Sequence, residues 1–94
     1  MKFVWYWEYD AGKTDEVIER FRTRMAATDN PDMPKLIFGP FTHLGQPSGF
    51  TVYETDDPSK LTRLATHYLP ELKGEFIPIQ ETTATAEIYS KMKK

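Results

Sequence analysis

The sequence predicts an α+β domain: a four-stranded antiparallel sheet with two helices on one face, in the ferredoxin-like order β-α-β-β-α-β and spatial strand order 4-1-3-2. Three observations predict it. Apolar spacing alternates along the chain between the period of a strand and that of a helix, in that order. Gly, Pro, Asn and Asp clusters separate the segments at each change of period. The strand-like segments carry large apolar groups on both faces, so each side of the sheet needs a cover.

Phe3 to Tyr9 (FVWYWEY) reads as the first strand, closed by Asp10-Ala11-Gly12. Thr14 is placed to cap the helix that follows, and Asp15 and Glu16 complement the partial positive charge of its N-terminus. Val17, Ile18, Phe21 and Met25 recur at helical spacing on the inner face, with Glu16 and Arg20 paired i,i+4 outside. Asp29-Asn30-Pro31 should stop this helix near Thr28.

Pro34 to His43 forms the second strand. Gly39-Pro40 interrupts it, and because proline donates nothing to a ladder, this strand belongs at an edge or carries a bulge. Leu44 to Gly49 is a loop, and Phe50 to Thr55 is the third strand, hairpinned to the second. Asp57 followed by Pro58 starts the second helix: a carboxylate cap, then proline at the first helical position. Leu61, Leu64, Ala65, Tyr68, Leu69 and Leu72 give its apolar stripe, and Pro70 ends the first helical run near Tyr68, before an irregular turn to Gly74. Glu75 to about Thr82 is the last strand. Residues 83–94 fit a strand extension, a short helix or a basic tail.

The faces divide as follows. Phe3, Trp5, Trp7 and Tyr9 oppose Val4, Tyr6 and Glu8; Leu36 and Phe38 oppose Ile37 and Phe41; Phe50 and Val52 oppose Thr51 and Tyr53; Ile77 and Ile79 oppose Phe76, Pro78 and Gln80. Two helices cover one face. A soluble monomer rarely leaves the other, an apolar sheet face, in water. A two-fold homodimer closing face to face is the simplest solution, with a C-terminal lid as the alternative.

Bulk properties exclude several classes. Ninety-four residues make a single domain, 1–94. Twelve basic and fourteen acidic residues leave a charge of −2 with no basic block beyond Lys91-Met92-Lys93-Lys94, which argues against a nucleic-acid partner. No cysteine is present, which removes disulfides, thiolate metal sites and a Cys nucleophile. No apolar run reaches the roughly 18 residues of a membrane helix, and strand-like sequence begins at Phe3 with no leader before it, so the expected location is the cytoplasm.

The pattern with two-sided strands resembles the dimeric α+β barrel superfamily. Within it, Gly49-Phe50-Thr51-Val52-Tyr53-Glu54-Thr55-Asp56-Asp57-Pro58, Lys73-Gly74-Glu75-Phe76-Ile77-Pro78-Ile79 and Glu19-Arg20-Phe21 are similar to a family of short proteins catalogued as a domain of unknown function. The resemblance implies the fold and a homodimer. It brings no catalytic residue, and the superfamily spans cofactor-independent monooxygenases, isomerases, lyases, haem-binding enzymes and plain ligand-binding domains.

Trp5, Trp7, Tyr53, Phe76 and Gln80 are the residues that would line an apolar cavity between sheet and partner, binding a small apolar or aromatic molecule. The competing reading is that these rings simply pack. Glu8, a charge inside the expected central strand, and Tyr53 and His67 are the candidates for proton transfer in a monooxygenase- or isomerase-like enzyme. Glu54, Asp56 and Asp57 read as helix capping. His43 and His67 show no ligand spacing, so neither metal nor other cofactor is expected. A third reading is an interaction module whose sheet face is filled by side chains.

Overall fold

The computed structural model describes residues 1–27 and 29–93. Its elements are β1 (Lys2–Tyr9), a 3-10 turn (Ala11–Lys13), α1 (Thr14–Ala26), β2 (Lys35–Thr42), β3 (Ser48–Glu54), α2 (Pro58–Tyr68), β4 (Leu72–Ile79) and α3 (Thr82–Met92). The four strands form one antiparallel sheet in the order β2-β3-β1-β4, which is 4-1-3-2 read from the other edge. Among the described residues, no helix is long and apolar enough to cross a membrane.

β1 is central, between β3 and β4, and its alternation decides the layers. Trp5 and Trp7 point under α1 and α2 into a core completed by Val17, Tyr53, Leu64, Tyr68 and Leu72. The Trp5 ring stacks on Phe76 of β4 at 5.3 Å and 12°. The Trp7 ring meets Phe21 at 5.1 Å, and its Nε1 donates to Thr51 Oγ1 at 3.1 Å, so the buried indole N–H is satisfied.

Two glycines make room for these rings. Gly49 and Gly74 both face Trp7 across the ladders of β1. A Cβ on Gly49 would lie 2.5 Å from the Trp7 ring and collide with the Phe41 carbonyl; one on Gly74 would lie 2.9 Å from Trp5 Nε1 and collide with the Tyr6 carbonyl. Each glycine leaves the slot into which an indole leans.

The helices start as their sequences dictate. Asp57 accepts from the Ser59 amide at 2.9 Å and Pro58 opens α2. At α1 the cap lies one turn earlier than expected: Asp10 accepts from the Gly12 amide, and the 3-10 turn runs straight into Thr14, which is helical. α1 ends at Ala26; Thr28, the expected end, lies outside the described residues. α2 ends at Tyr68, as Pro70 requires.

Four details depart from the expectation. The inner face of α1 is Val17, Phe21 and Arg24 rather than Val17, Ile18, Phe21 and Met25, because positions 17, 21 and 24 align over the sheet while Ile18 and Met25 stay more than two-fifths exposed. Arg20 does not pair with Glu16; its Nε lies 2.8 Å from Glu71 Oε2, ahead of β4. In β2, Phe38 and Phe41 share a face, because register shifts on either side of Phe38 pair Phe38 with Val52 and Phe41 with Phe50. Gly39, at φ 92°, supplies the left-handed backbone inside this irregular stretch. β4 starts at Leu72, earlier than expected, since Leu72 is fully buried and pairs with Tyr9. Residues 82–92 are helical, one of the three expected outcomes.

The two slots set a sharp stability test. Gly49→Ala and Gly74→Ala should each cost about 3 kcal/mol and lower the Tm by about 12 °C or more, measured by thermal circular dichroism. A loss below about 1 kcal/mol at both would show that the indoles have other places to go.

Candidate functional site

The uncovered face of the sheet is built by the even residues of β1 and β3 and their partners. Val4, Tyr6, Val52, Phe50, Phe38, Phe41 and Ile77 point there, with Ile79 at its end. Phe38 is 53% exposed, Tyr6 47% and Phe41 46%, values found on an open surface and not in a core. Phe38, Phe41 and Phe50 form a ring cluster with centroids 4.7 to 6.4 Å apart, and Tyr6 joins it at 6.3 Å from Phe50. Aliphatic groups thus occupy the half near Lys2 and Ile79; aromatic rings occupy the half near Glu8 and the β2–β3 hairpin.

Polar groups gather at the aromatic end. A depression of about 320 Å³ is lined by Tyr6, Trp7, Glu8, His43, Ser48, Gly49, Gly74 and Glu75. The His43 ring lies 6.2 Å from Phe50, and its Nδ1 shares a hydrogen bond of 3.0 Å with Ser48 Oγ. The face therefore offers π-surfaces beside two carboxylates, an imidazole and a hydroxyl, the composition of a site for a small, largely apolar molecule with one or two polar groups. Among the described residues, no three His, Asp or Glu side chains come together as a metal would require.

The residues singled out from sequence are divided between the two layers. Trp5, Trp7 and Tyr53 lie on the covered face, 1%, 3% and 3% exposed, and Phe76 packs against them. Gln80 lies beyond β4, exposed, accepting from Thr85 Oγ1 at 3.0 Å. His67 holds the helices together: its Nε2 donates to the Arg20 carbonyl at 3.1 Å, and Arg20 Nη1 donates back to the His67 carbonyl at 2.8 Å. Glu8 is exposed at the aromatic end of the open face, opposite Lys73. Tyr6, Phe38, Phe41, Phe50 and His43 are what sequence reading did not select as a site. Tyr6 and Phe50 were visible in the alternation; Phe38 beside Phe41 was hidden by the bulges.

Beneath the sheet, the core keeps an arginine. Arg24 is 4% exposed, its Nη1 and Nη2 donating to the carbonyls of Ala27 and Pro34 at 2.9 and 3.2 Å, and no carboxylate pairs with it among the described residues. These bonds tie the end of α1 to the start of β2. Burial raises the Tyr53 hydroxyl to about 12, partly offset by the Arg24 charge, and burial drives Tyr68 upward more strongly. Tyr53 is therefore a neutral hydrogen-bonding group at physiological pH and no ready proton acceptor.

A family model described as a domain of unknown function, DUF3303, matches residues 1–93. No curated protein and no solved structure matches the chain.

A group whose value rises on folding stabilises fully below its unfolded value and loses that contribution as pH climbs through the folded one. The Tm should thus fall between pH 10 and pH 12, the span from the ordinary value of Tyr53 to its raised one, and fall less steeply in Tyr53→Phe. Calorimetry with absorbance at 295 nm checks this; equal alkaline slopes in both proteins would refute the burial of that hydroxyl.

Proposed function

The chain belongs to the DUF3303 family, a domain of unknown function, and we propose that it works as a cytoplasmic homodimer binding a small apolar or aromatic molecule between its open sheet faces. The observation that carries this reading is the cluster Tyr6, Phe38, Phe41 and Phe50, three Phe rings together with Tyr6 beside Phe50, on a face that no element among the described residues covers. Large side chains kept in water this way cost solubility unless something docks on them. Two such faces related by a two-fold axis bury each other isologously.

The rings also argue for a ligand between the faces. Aliphatic side chains at the Lys2 end pack flat. The ring cluster at the other end borders a depression with polar walls, so two faces brought together there enclose space as well as surface. An aromatic ligand would stack on Phe38, Phe41 or Phe50 and direct a donor at Glu8, Glu75 or His43. Trp5, Trp7 and Tyr53 serve this site from behind, by fixing β1 and β3.

Sedimentation at micromolar concentration should give a mass near twice 10.9 kDa. The neutral fluorophore N-phenyl-1-naphthylamine should bind saturably, and Phe50→Ala should weaken it about tenfold, or about 1.4 kcal/mol. Phe41→Glu should yield monomers. A monomeric wild-type chain defeats the dimer; a dimer without saturable binding defeats the ligand and leaves a solidly packed interaction module.

A further inference from the structure

Among the described residues, α3 is the helix that the rest of the protein does not hold in place. It buries no residue, and it makes no extensive contact with any other element. Ile88, Tyr89 and Met92 are 50%, 60% and 77% exposed. The molecule extends 54 Å along its longest axis, and its radius of gyration is 15.5 Å, where a compact chain of this length has about 12 Å. α3 projects as an arm.

Its sequence does not favour a free helix. Eleven residues in water are marginal even with good helix formers, and three of these are threonine. The pattern is nevertheless amphipathic: Ala84, Ile88, Met92 and Tyr89 fall on one side, Thr83, Glu87 and Ser90 on the other. A helix of this kind is stabilised by what its apolar stripe rests on.

The root of the arm lies beside the open face. Lys2 and Glu54 stand on the even-numbered, uncovered side of β1 and β3, and Lys2 Nζ bonds Glu81 Oε1 at 2.6 Å, one residue ahead of α3. That contact holds the Lys2 ammonium more firmly protonated and the Glu81 carboxyl below its ordinary range. The root of the arm and the uncovered sheet face thus meet at the Lys2 end of the molecule.

Resting on the homodimer proposed above, we infer that α3 of each copy crosses to the partner and covers the aromatic end of the partner's sheet face, so that each ligand site is completed by Ile88, Tyr89 and Met92 of the other chain. Size supports the exchange. Strands of eight residues and a width of four strands give a sheet face of about 26 by 19 Å, or about 500 Å². Stable interfaces bury about 800 Å² per partner. An arm about 16 Å long and 10 Å wide adds about 160 Å² of its own surface, which brings the total to about 660 Å² per copy and much nearer that size than the sheet face alone. Charge supports the direction. A two-fold axis across the strands places the Lys2–Ile79 end of one copy over the Glu8–Glu75 end of the other. The arm is rooted at the Lys2–Ile79 end, and its Lys91 and Lys93 are opposite in charge to Glu8 and Glu75 of the copy it crosses to.

The experiment uses the full chain. Ile88→Asp with Tyr89→Asp should raise the dimer dissociation constant about 100-fold by sedimentation and abolish N-phenyl-1-naphthylamine binding. In a dimer mixed from isotope-labelled and unlabelled copies, isotope-filtered NOEs should connect the side chains of Ile88, Tyr89 and Met92 with Tyr6, Phe38, Phe41 or Phe50 of the other copy. A dissociation constant within about twofold of wild type overturns the arm, as do NOEs confined to one copy or no NOEs from α3 to those rings. If Phe41→Glu still yields monomers in that case, the dimer stands and only the exchange is lost. A monomeric wild type removes both.

Discussion

Two indoles leaning sideways across a sheet set the rest of this structure. Trp5 and Trp7 occupy the centre of the covered face, one toward β4 and one toward β3, and each requires a neighbour with no side chain in its path. Gly49 and Gly74 meet that requirement on either side of β1. With the rings in place, Tyr53, Tyr68, Phe21 and Phe76 close around them at centroid distances of 5.1 to 6.3 Å. In a chain this short, a few large rings supply most of the area a core needs.

The same arrangement governs what faces outward. Residues two apart share a face, so fixing Trp5 and Trp7 inward fixes Val4, Tyr6 and Glu8 outward. β3 follows through its ladder with β1 and displays Phe50 and Val52. β2 adds Phe38 and Phe41 through its irregular register. The open face is thus the obligatory reverse of a well-made core, and its apolar character gives the molecule a reason to associate.

Around the helices, polar contacts add to the Phe21–Tyr68 ring contact that joins α1 to α2. Arg20 and His67 exchange backbone carbonyls, Arg20 reaches Glu71, and Arg24 fastens the end of α1 to Pro34. These bonds leave His67 and Arg24 committed to the scaffold. The polar groups beside the open face are instead Glu8, Glu75 and His43 with Ser48, at its rim.

Element order, strand order, the Asp57-Pro58 helix start and the stop at Tyr68 were determined by the sequence, because each rests on local chemistry: a period, a cap, a proline. The division of β1, β3 and β4 into two faces was legible for the same reason. Which face is covered was not, since alternation separates the two sets without saying which lies under the helices. That choice rests on the fit of Trp5 and Trp7 into the glycine slots. Arg24 in the core, Phe38 beside Phe41 and the Arg20–Glu71 pair likewise came from tertiary structure alone. Each depends on a partner distant in the chain or on a register shift that no local pattern encodes.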